Sequence, residues 1–425
     1  MIDKYWQSVK STSKSKIITA IILGLVSFVT YSCMYAIRKP FSGFIYTESL
    51  WGWNIKNWMV IAQLIGYTLS KFYGIRWVGQ LKHQNRRRQL IFLLILASVP
   101  LWVMPLLPIF LWPILMLLNG FPLGIVWGIV FSYIEGRDLT EFIGAILACT
   151  FVFSSGFVKY LTLLTQQELS VSNTIATAIT SALACFLAII FSFFLDKTPP
   201  PNKSEINQNT KRKELSKIQQ KLFFKENLIF LIPAILIYSI LTFSRDFRDN
   251  FTAELLAANN DYSGLNIAKY ETLITLVLLS CIPFLSLIRN HLKAIQITFI
   301  VSAFGSILNL VALQLFEFEI ITGTAFFLVT GFGLYGGYIL INISIMNRIV
   351  GYRKSPGNCG FLMYSADASG YLTSIMVLSV ALFQNNINID WFGTFKIFIG
   401  IGSILITIIS FFPLYYSLKL KNINE

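Results

Sequence analysis

Residues 17–37 read "IITAIILGLVSFVTYSCMYAI", and Arg38, Lys39, Pro40 and Phe41 follow without a break. An uncharged run of this length is about 31 Å of α-helix at ~1.5 Å per residue, enough to cross a hydrocarbon layer of ~30 Å. Lys4, Lys10, Lys14 and Lys16 precede it, as in a secretory signal. The run is nevertheless too long for a signal's apolar core and lacks a small-residue cleavage site, so it reads as a retained transmembrane helix. The two cations at its end then pose the functional question: they either reach the headgroup layer or face the interior of a bundle.

The rest of the chain has the same character. Of 425 residues, 55% are hydrophobic and 13% charged, with a mean hydropathy of +0.66. That composition excludes a single soluble core and implies an all-α integral membrane protein. Twelve runs are long enough to span, near 17–37, 57–75, 90–107, 110–133, 142–165, 173–195, 227–247, 270–288, 294–315, 321–345, 358–383 and 392–418. Pro105, Pro108 and Pro113 mark the turn inside the nearly continuous apolar stretch 90–134, because proline interrupts a helix. The five cysteines (Cys33, Cys149, Cys185, Cys281, Cys359) lie in or beside apolar runs, and there are only two histidines. They read as packing residues rather than as a metal site or disulfide framework, and no cofactor is expected.

Of the 34 lysines and arginines, 25 fall in the N-terminus, the even-numbered loops and the C-terminus. Six fall in the odd-numbered loops (Arg38, Lys39, Lys56, Arg245, Arg248, Lys269), and Lys71, Lys159 and Lys396 lie within spans. By the positive-inside rule both termini are cytoplasmic. The expected location is the cell (inner) membrane, multi-pass, with a monomer as the expected state and the lipid bilayer as its partner. The same bias accounts for the net charge of +14. No nucleic-acid partner is needed, since the basic residues are scattered rather than gathered on one face.

Two six-helix halves, 1–195 and 227–425, are joined by 196–226, which is polar, carries Pro199, Pro200 and Pro201, and turns basic from Lys211. It reads as a cytoplasmic linker. The halves echo each other: Tyr31 precedes Arg38 by seven residues, and Tyr238 precedes Arg245 by seven. Gly120, Gly124 and Gly128 in the fourth run answer Gly331, Gly333, Gly336 and Gly337 in the tenth. Small residues at such spacing let helices approach closely, and six-helix repeats around a central site are the major facilitator arrangement.

Specific stretches carry a resemblance. "GFGLYGGYILINISIMNRIVGYRKSPGNCGFLMYSADASGYLTS" (331–374) resembles the tenth and eleventh helices of the organophosphate:phosphate antiporters, a branch of the major facilitator superfamily. "YAIRKPF" (35–41) resembles the Tyr-x-x-Arg-Lys-x-Phe of that branch's first helix, and "GFPLGIVWGIVFSYIEGRDLTEFIGA" (120–145) its fourth helix and following loop. Together with "SRDFRDNF" (244–251), this last stretch is also similar to an uncharacterised bacterial group of major-facilitator-like proteins. The chain departs from the pattern in two places. "GIRWVGQLKHQNRRRQ" (74–89) lacks the acidic residue usual between helices two and three, and the fifth run holds Lys159 where the antiporters have a histidine.

In the antiporters an arginine from helix one and one from helix seven hold phosphate across the cavity, and the resemblance implies these roles for Arg38 and Arg245. Guanidinium forks match phosphate oxygens bidentately and stay charged. The bland alternative is anchoring at the outer interface. Lys39, Lys159 and Arg248 are the further candidate substrate-binding cations. Arg245 and Asp249 at i, i+4 suit either an exposed pair or a site in which Asp246 and Asp249 hold Arg245 until an anion competes. Asp367 is a candidate cavity charge or coupling group, or else bonds Tyr364 or Tyr371. Glu135 and Arg137, with Asp138, suit a conformational clamp, that is, gating. Asn119, Asn342 and Tyr335 take no assigned role.

The chemistry of a hydrolase is missing: no Ser-His-Asp, HExxH or paired intramembrane aspartates, so the chain is not expected to be an enzyme. It is expected to be a secondary active transporter for a small anionic solute, phosphorylated if the resemblance holds, working by alternating access. The alternative is a transporter-derived sensor that binds its ligand without moving it.

Overall fold

The computed structural model describes residues 13–77, 85–135, 137, 139–198, 217–281, 288, 290–353, 359–384 and 390–424. These form α1 Ser13–Arg38, α2 Ile55–Trp77, α3 Arg86–Val103, α4 Trp112–Phe131, α5 Thr140–Leu169 and α6 Asn173–Asp196. There follow α7 Lys217–Asn250, α8 Gly264–Cys281, α9 His291–Glu317, α10 Gly323–Ile345, α11 Cys359–Gln384 and α12 Trp391–Asn424. Among the described residues ten helices are long and apolar enough to cross a membrane. The other two, α2 and α11, are 23 and 26 residues long and pack on each other. They carry Lys56, Gln63 and Lys71 on one side and Asp367 and Ser374 on the other, all buried.

Polar groups go inward and apolar groups outward. Leu183 and Phe186 of α6, Phe304 of α9 and Ile401 and Phe411 of α12 are exposed, while Arg38, Lys39, Lys159, Arg245 and Arg248 are buried. A soluble protein distributes these the other way round; this inversion belongs to a multi-pass membrane protein.

Packing repeats with an offset of six helices. The pairs α1–α6, α3–α4 and α3–α6 recur as α7–α12, α9–α10 and α9–α12, and α2–α11 and α5–α8 join the two sets. Glycine makes two of the closest approaches. A Cβ at Gly120 of α4 would stand 2.2 Å from the carbonyl oxygen of Gln63 on α2, and one at Gly333 of α10 would stand 2.4 Å from the carbonyl oxygen of Gly305 on α9. Neither position tolerates a side chain without moving a helix.

The prolines act where expected at the third turn: α3 gives way to 3-10 turns at Met104–Leu106 and Ile109–Leu111 around Pro108. Elsewhere the expectations shift. Helix α1 ends at Arg38, one residue past the expected run, and Pro40–Gly43 form one 3-10 turn because Pro40 lacks the N–H that would continue the ladder. Phe41, Phe44 and Tyr46 beyond it are buried, whereas Ile45 is exposed. A hairpin pairs Ser49 with Asn54 and Leu50 with Trp53, closed by Trp51 and Gly52, both at positive φ as a two-residue primed turn demands. Most of the central linker, and Asp138 and His83, lie outside the described residues.

Candidate functional site

Helix α2 is a ruler for the interior. Lys56 near its start contacts Glu254, Gln63 donates to the backbone oxygen of Arg38, Tyr67 stacks on Arg38, and Lys71 pairs with Asp367. From Lys56 to Lys71 is about 22 Å at ~1.5 Å per residue, so Arg38 lies beside the middle of α2. It is 2% exposed, packed inside the bundle rather than extended to the surface.

Arg38 and Arg245 converge on one ring. The guanidinium carbon of Arg38 is 4.0 Å from the Tyr67 centroid and 5.7 Å from that of Tyr371. The guanidinium carbon of Arg245 is 4.3 Å from Tyr338 and 5.8 Å from Tyr371. Aromatic faces stabilise buried guanidinium groups without consuming their N–H donors. Among the described residues Arg38 has no carboxylate at ion-pair distance, and its Nε and Nη2, with Nη1 of Arg245, are buried without a hydrogen-bond partner. Such donors lose their hydration with no return unless an acceptor arrives.

Arg245 is held by two groups: Nη2 is 2.6 Å from Asp246 Oδ1 and donates to the Tyr371 hydroxyl at 3.1 Å. Ser374 donates to the other Asp246 oxygen at 3.0 Å. Of the two acids expected to hold Arg245, Asp246 does so and Asp249 does not. Asp249 pairs instead with Lys39 at 2.7 Å and Lys159 at 3.0 Å and accepts from Ser155. The exposed i, i+4 pair is thereby corrected: both residues are buried and neither uses the other. Arg248 turns away to Glu271 of α8 at 2.7 Å and stacks on Phe327 at 3.8 Å, so it does not join the central group.

Asp367 does not bond Tyr371. Lys71 lies 2.7 Å from its Oδ2 and the Tyr238 hydroxyl donates to its Oδ1. Tyr371 is engaged with Arg245, and the side chain of Tyr364 lies outside the described residues. Asn342 donates to Tyr238 at 2.8 Å from the π-helical segment Ile341–Ile345, an irregularity common at functional sites. Asn119 has a structural role, bonding the backbone oxygens of Ile37 and Ala97 and accepting from Gln63.

The buried charges are sorted by position in the chain. Among the described buried residues before α7 there are six cations (Arg38, Lys39, Lys56, Lys71, Arg137, Lys159) and no carboxylate. From α7 onward there are three arginines (Arg245, Arg248, Arg348) and four carboxylates (Asp246, Asp249, Glu271, Asp367). The ion pairs Lys39–Asp249, Lys159–Asp249, Lys56–Glu254 and Lys71–Asp367 therefore all run from one six-helix set to the other. At the opposite end from Lys56 the sense reverses, and Arg348, just beyond α10, meets Glu141 of α5 at 2.5 Å. Arg137 at that end donates to the Tyr133 backbone oxygen and Glu135 is half-buried.

Sequence reasoning had no role for Lys56, Tyr67, Lys71, Glu254 or Glu271. Lys71 carried a signal, a lone charge amid an apolar run, and its partner was the lone acid of α11.

Residues 40–419 match the family described as "Family of unknown function (DUF5690)". No curated protein matches the sequence. Among solved structures the chain is similar to a D-xylose–proton symporter, with a TM-score of 0.62 and 13% identity over 93% of this chain and 97% of that one. It is similar to the nucleoside transporter NupG (0.60, 16% identity, 92% and 98%) and to the human organic anion transporter MFSD10 (0.56, 12% identity, 95% and 100%). Identities this low speak to the fold alone, which is that of the major facilitator transporters, and they do not single out the antiporter branch. The chain belongs to the family of unknown function DUF5690 and carries the major facilitator fold.

Proposed function

We propose that the protein is a secondary active transporter of a small organic anion, a phosphorylated solute being the first class to test. Twelve spans form two six-helix units, 1–195 and 227–425, with the linker 196–226 and both termini on the cytoplasmic side of the cell (inner) membrane, and the protein works as a monomer. On this orientation the Lys56 end is external and the Glu141–Arg348 end cytoplasmic. Five of the six cations assigned to external loops are buried inside the bundle, Lys269 alone being exposed. The positive-inside bias is thus steeper than the loop count suggests.

The observation that carries the reading is the pair Arg38 and Arg245, one from each unit, flanking Tyr371 with three buried unpartnered donors. An anion would satisfy donors from both units at once, which is what a site that couples binding to their rocking requires. Its solved neighbours are transporters, not enzymes, and an enzymatic role is not proposed.

A thermal-shift screen of the purified protein against inorganic phosphate, phosphorylated metabolites and small carboxylates tests binding, since a ligand at a hundred times its Kd stabilises by ~2.7 kcal/mol. Uptake of the hit into proteoliposomes then separates a transporter from a sensor. Absence of stabilisation by any anion would count against the proposal.

A further inference from the structure

Asp249 is unusual among the buried carboxylates in serving two ammonium groups. Its Oδ2 lies 2.7 Å from Lys39 Nζ, and its Oδ1 lies 3.0 Å from Lys159 Nζ and accepts from the Ser155 hydroxyl. All three donors belong to the first six-helix set; the acceptor sits near the end of α7. The remaining acceptors of the two lysines are the Asn250 side chain at 2.6 Å from Lys39, and the Asp249 backbone oxygen and Thr252 hydroxyl at 2.5 and 3.1 Å from Lys159. These too belong to the end of α7 and the turn after it. Every acceptor of both lysines therefore leaves together if this end of α7 moves away from α1 and α5.

What stays behind is a pair of ammonium groups and a hydroxyl already converged on the volume of one carboxylate. Gly43 packs against the stem of Lys159 so closely that a Cβ added there would stand 3.1 Å from Lys159 Cβ. With Lys39 1% and Lys159 0% exposed in this arrangement, departure of the carboxylate leaves two uncompensated positive charges side by side, which a replacement anion stabilises.

We infer that Lys39, Lys159 and Ser155 form an anion subsite on the first six-helix unit, filled here by Asp249 as a tethered competitor. In the outward-open state it takes a carboxylate or phosphate group of the transported solute. This rests on the transporter reading and deepens it. Asp249 lies one helical turn from Arg245, so the subsite adjoins the arginine pair, and an anion exchanges places with Asp249 as it enters. The empty transporter is closed by its own carboxylate, and the solute opens it by substitution.

The test titrates the full-length protein in detergent with inorganic phosphate and, separately, with succinate, reading the thermal midpoint. Asp249→Asn keeps the size of the side chain and removes the competing charge. It should bind at least one of the two anions tenfold or more tightly than the unmodified chain, and adding Lys159→Gln should abolish that gain. Equal or weaker binding by a folded Asp249→Asn overturns the subsite, while loss of binding in Arg38→Ala in the same series leaves the central clamp standing. Binding untouched by both Arg38→Ala and Arg245→Ala is the separate failure of the clamp. Should Asp249→Asn not fold, spin labels at Ser49→Cys and Ala258→Cys, in a chain with Cys281 and Cys359 replaced by serine, report the same event. Saturating anion should lengthen the distance between labels by several ångströms, and an unchanged distribution overturns the inference.

Discussion

Lys71 of α2 lies 2.7 Å from Asp367 of α11, and each is the other's charge partner across the two six-helix sets. Both are buried, with side-chain exposures of 1% and 9%. A buried pair contributes little net stability against an apolar replacement, but removing one member strands the other at a cost of ~3–5 kcal/mol. Lys71→Ala and Asp367→Ala should therefore each lower the thermal midpoint clearly, and the double variant should lower it by less than the two singles summed. Strict additivity would mean that the two charges are not coupled in the folded protein.

The same pair sharpens the question of coupling. A proton on Asp367 would remove the charge that neutralises Lys71 while Tyr238 still occupies the other oxygen, so protonation and separation of α2 from α11 favour each other. Asp367→Asn is expected to abolish uptake driven by a pH gradient while leaving solute exchange. Gradient-driven uptake at the unmodified rate would reduce Asp367 to a structural partner of Lys71.

Glu141 and Arg348 close the opposite end at 2.5 Å, with Arg348 also donating to the Ile288 backbone oxygen at 2.6 Å. Either single reversal, Glu141→Arg or Arg348→Glu, sets like charges face to face and should favour opening at that end and depress transport. The double reversal restores the attraction and should recover most of the activity. If it recovers none, the pair does not act as a gate.

The topology is checked by labelling. Ser170, exposed in the αL turn that ends α5, should react as Ser170→Cys with an impermeant thiol reagent applied to intact cells, and cysteines placed at 203–220 should not. Labelling of the central linker from outside would reverse the orientation.

The helices were legible because length and hydropathy are local, and ten of the twelve expected runs form helices long and apolar enough to cross a membrane among the described residues; α3 and α4 were separable at Pro105 and Pro108 even inside one apolar stretch. The central arginines were legible only through the resemblance of "YAIRKPF", since Arg38 by length alone suits the interface. What the sequence hid was the pairing. Local spacing suggests Arg245 with Asp249, yet Asp249 reaches Lys39 and Lys159 beside α1 and on α5 because those elements, remote in sequence, close against α7. Lys71 and Asp367 were each visible as isolated intramembrane charges, but nothing in one sequence states that α2 lies against α11. Lys39 shows the same limit. Its N–H still closes the last turn of α1 on the Tyr35 carbonyl at 2.8 Å, so it sits about 100° round from Arg38, and the packing of α7 against that side decides that it meets Asp249.

The prediction on which the transport reading stands concerns Arg38 and Arg245. Three of their donors are buried without partners among the described residues, so an arriving anion meets groups already stripped of water, and each charged hydrogen bond contributes ~1.5–3 kcal/mol. Replacing either arginine with alanine should weaken anion binding at least tenfold; Arg38→Ala should do so with the fold intact, because Tyr67 and Tyr371 remain packed around the space, whereas Arg245→Ala also strands buried Asp246 and should lower the thermal midpoint as well. Lysine at either position keeps the charge but loses the planar fork and its stacking on Tyr67 or Tyr338, so it should recover only part of the affinity. Lys39→Ala is expected to act differently: it frees one oxygen of Asp249 rather than removing a central donor, and its effect should depend on whether Asp249 is present. Arg38→Ala should weaken binding equally in the unmodified chain and in the Asp249→Asn background, whereas Lys39→Ala should weaken it more when the competing carboxylate is gone. Full binding and uptake in both Arg38→Ala and Arg245→Ala would mean that the two guanidinium groups serve only to pack the tyrosines between the units.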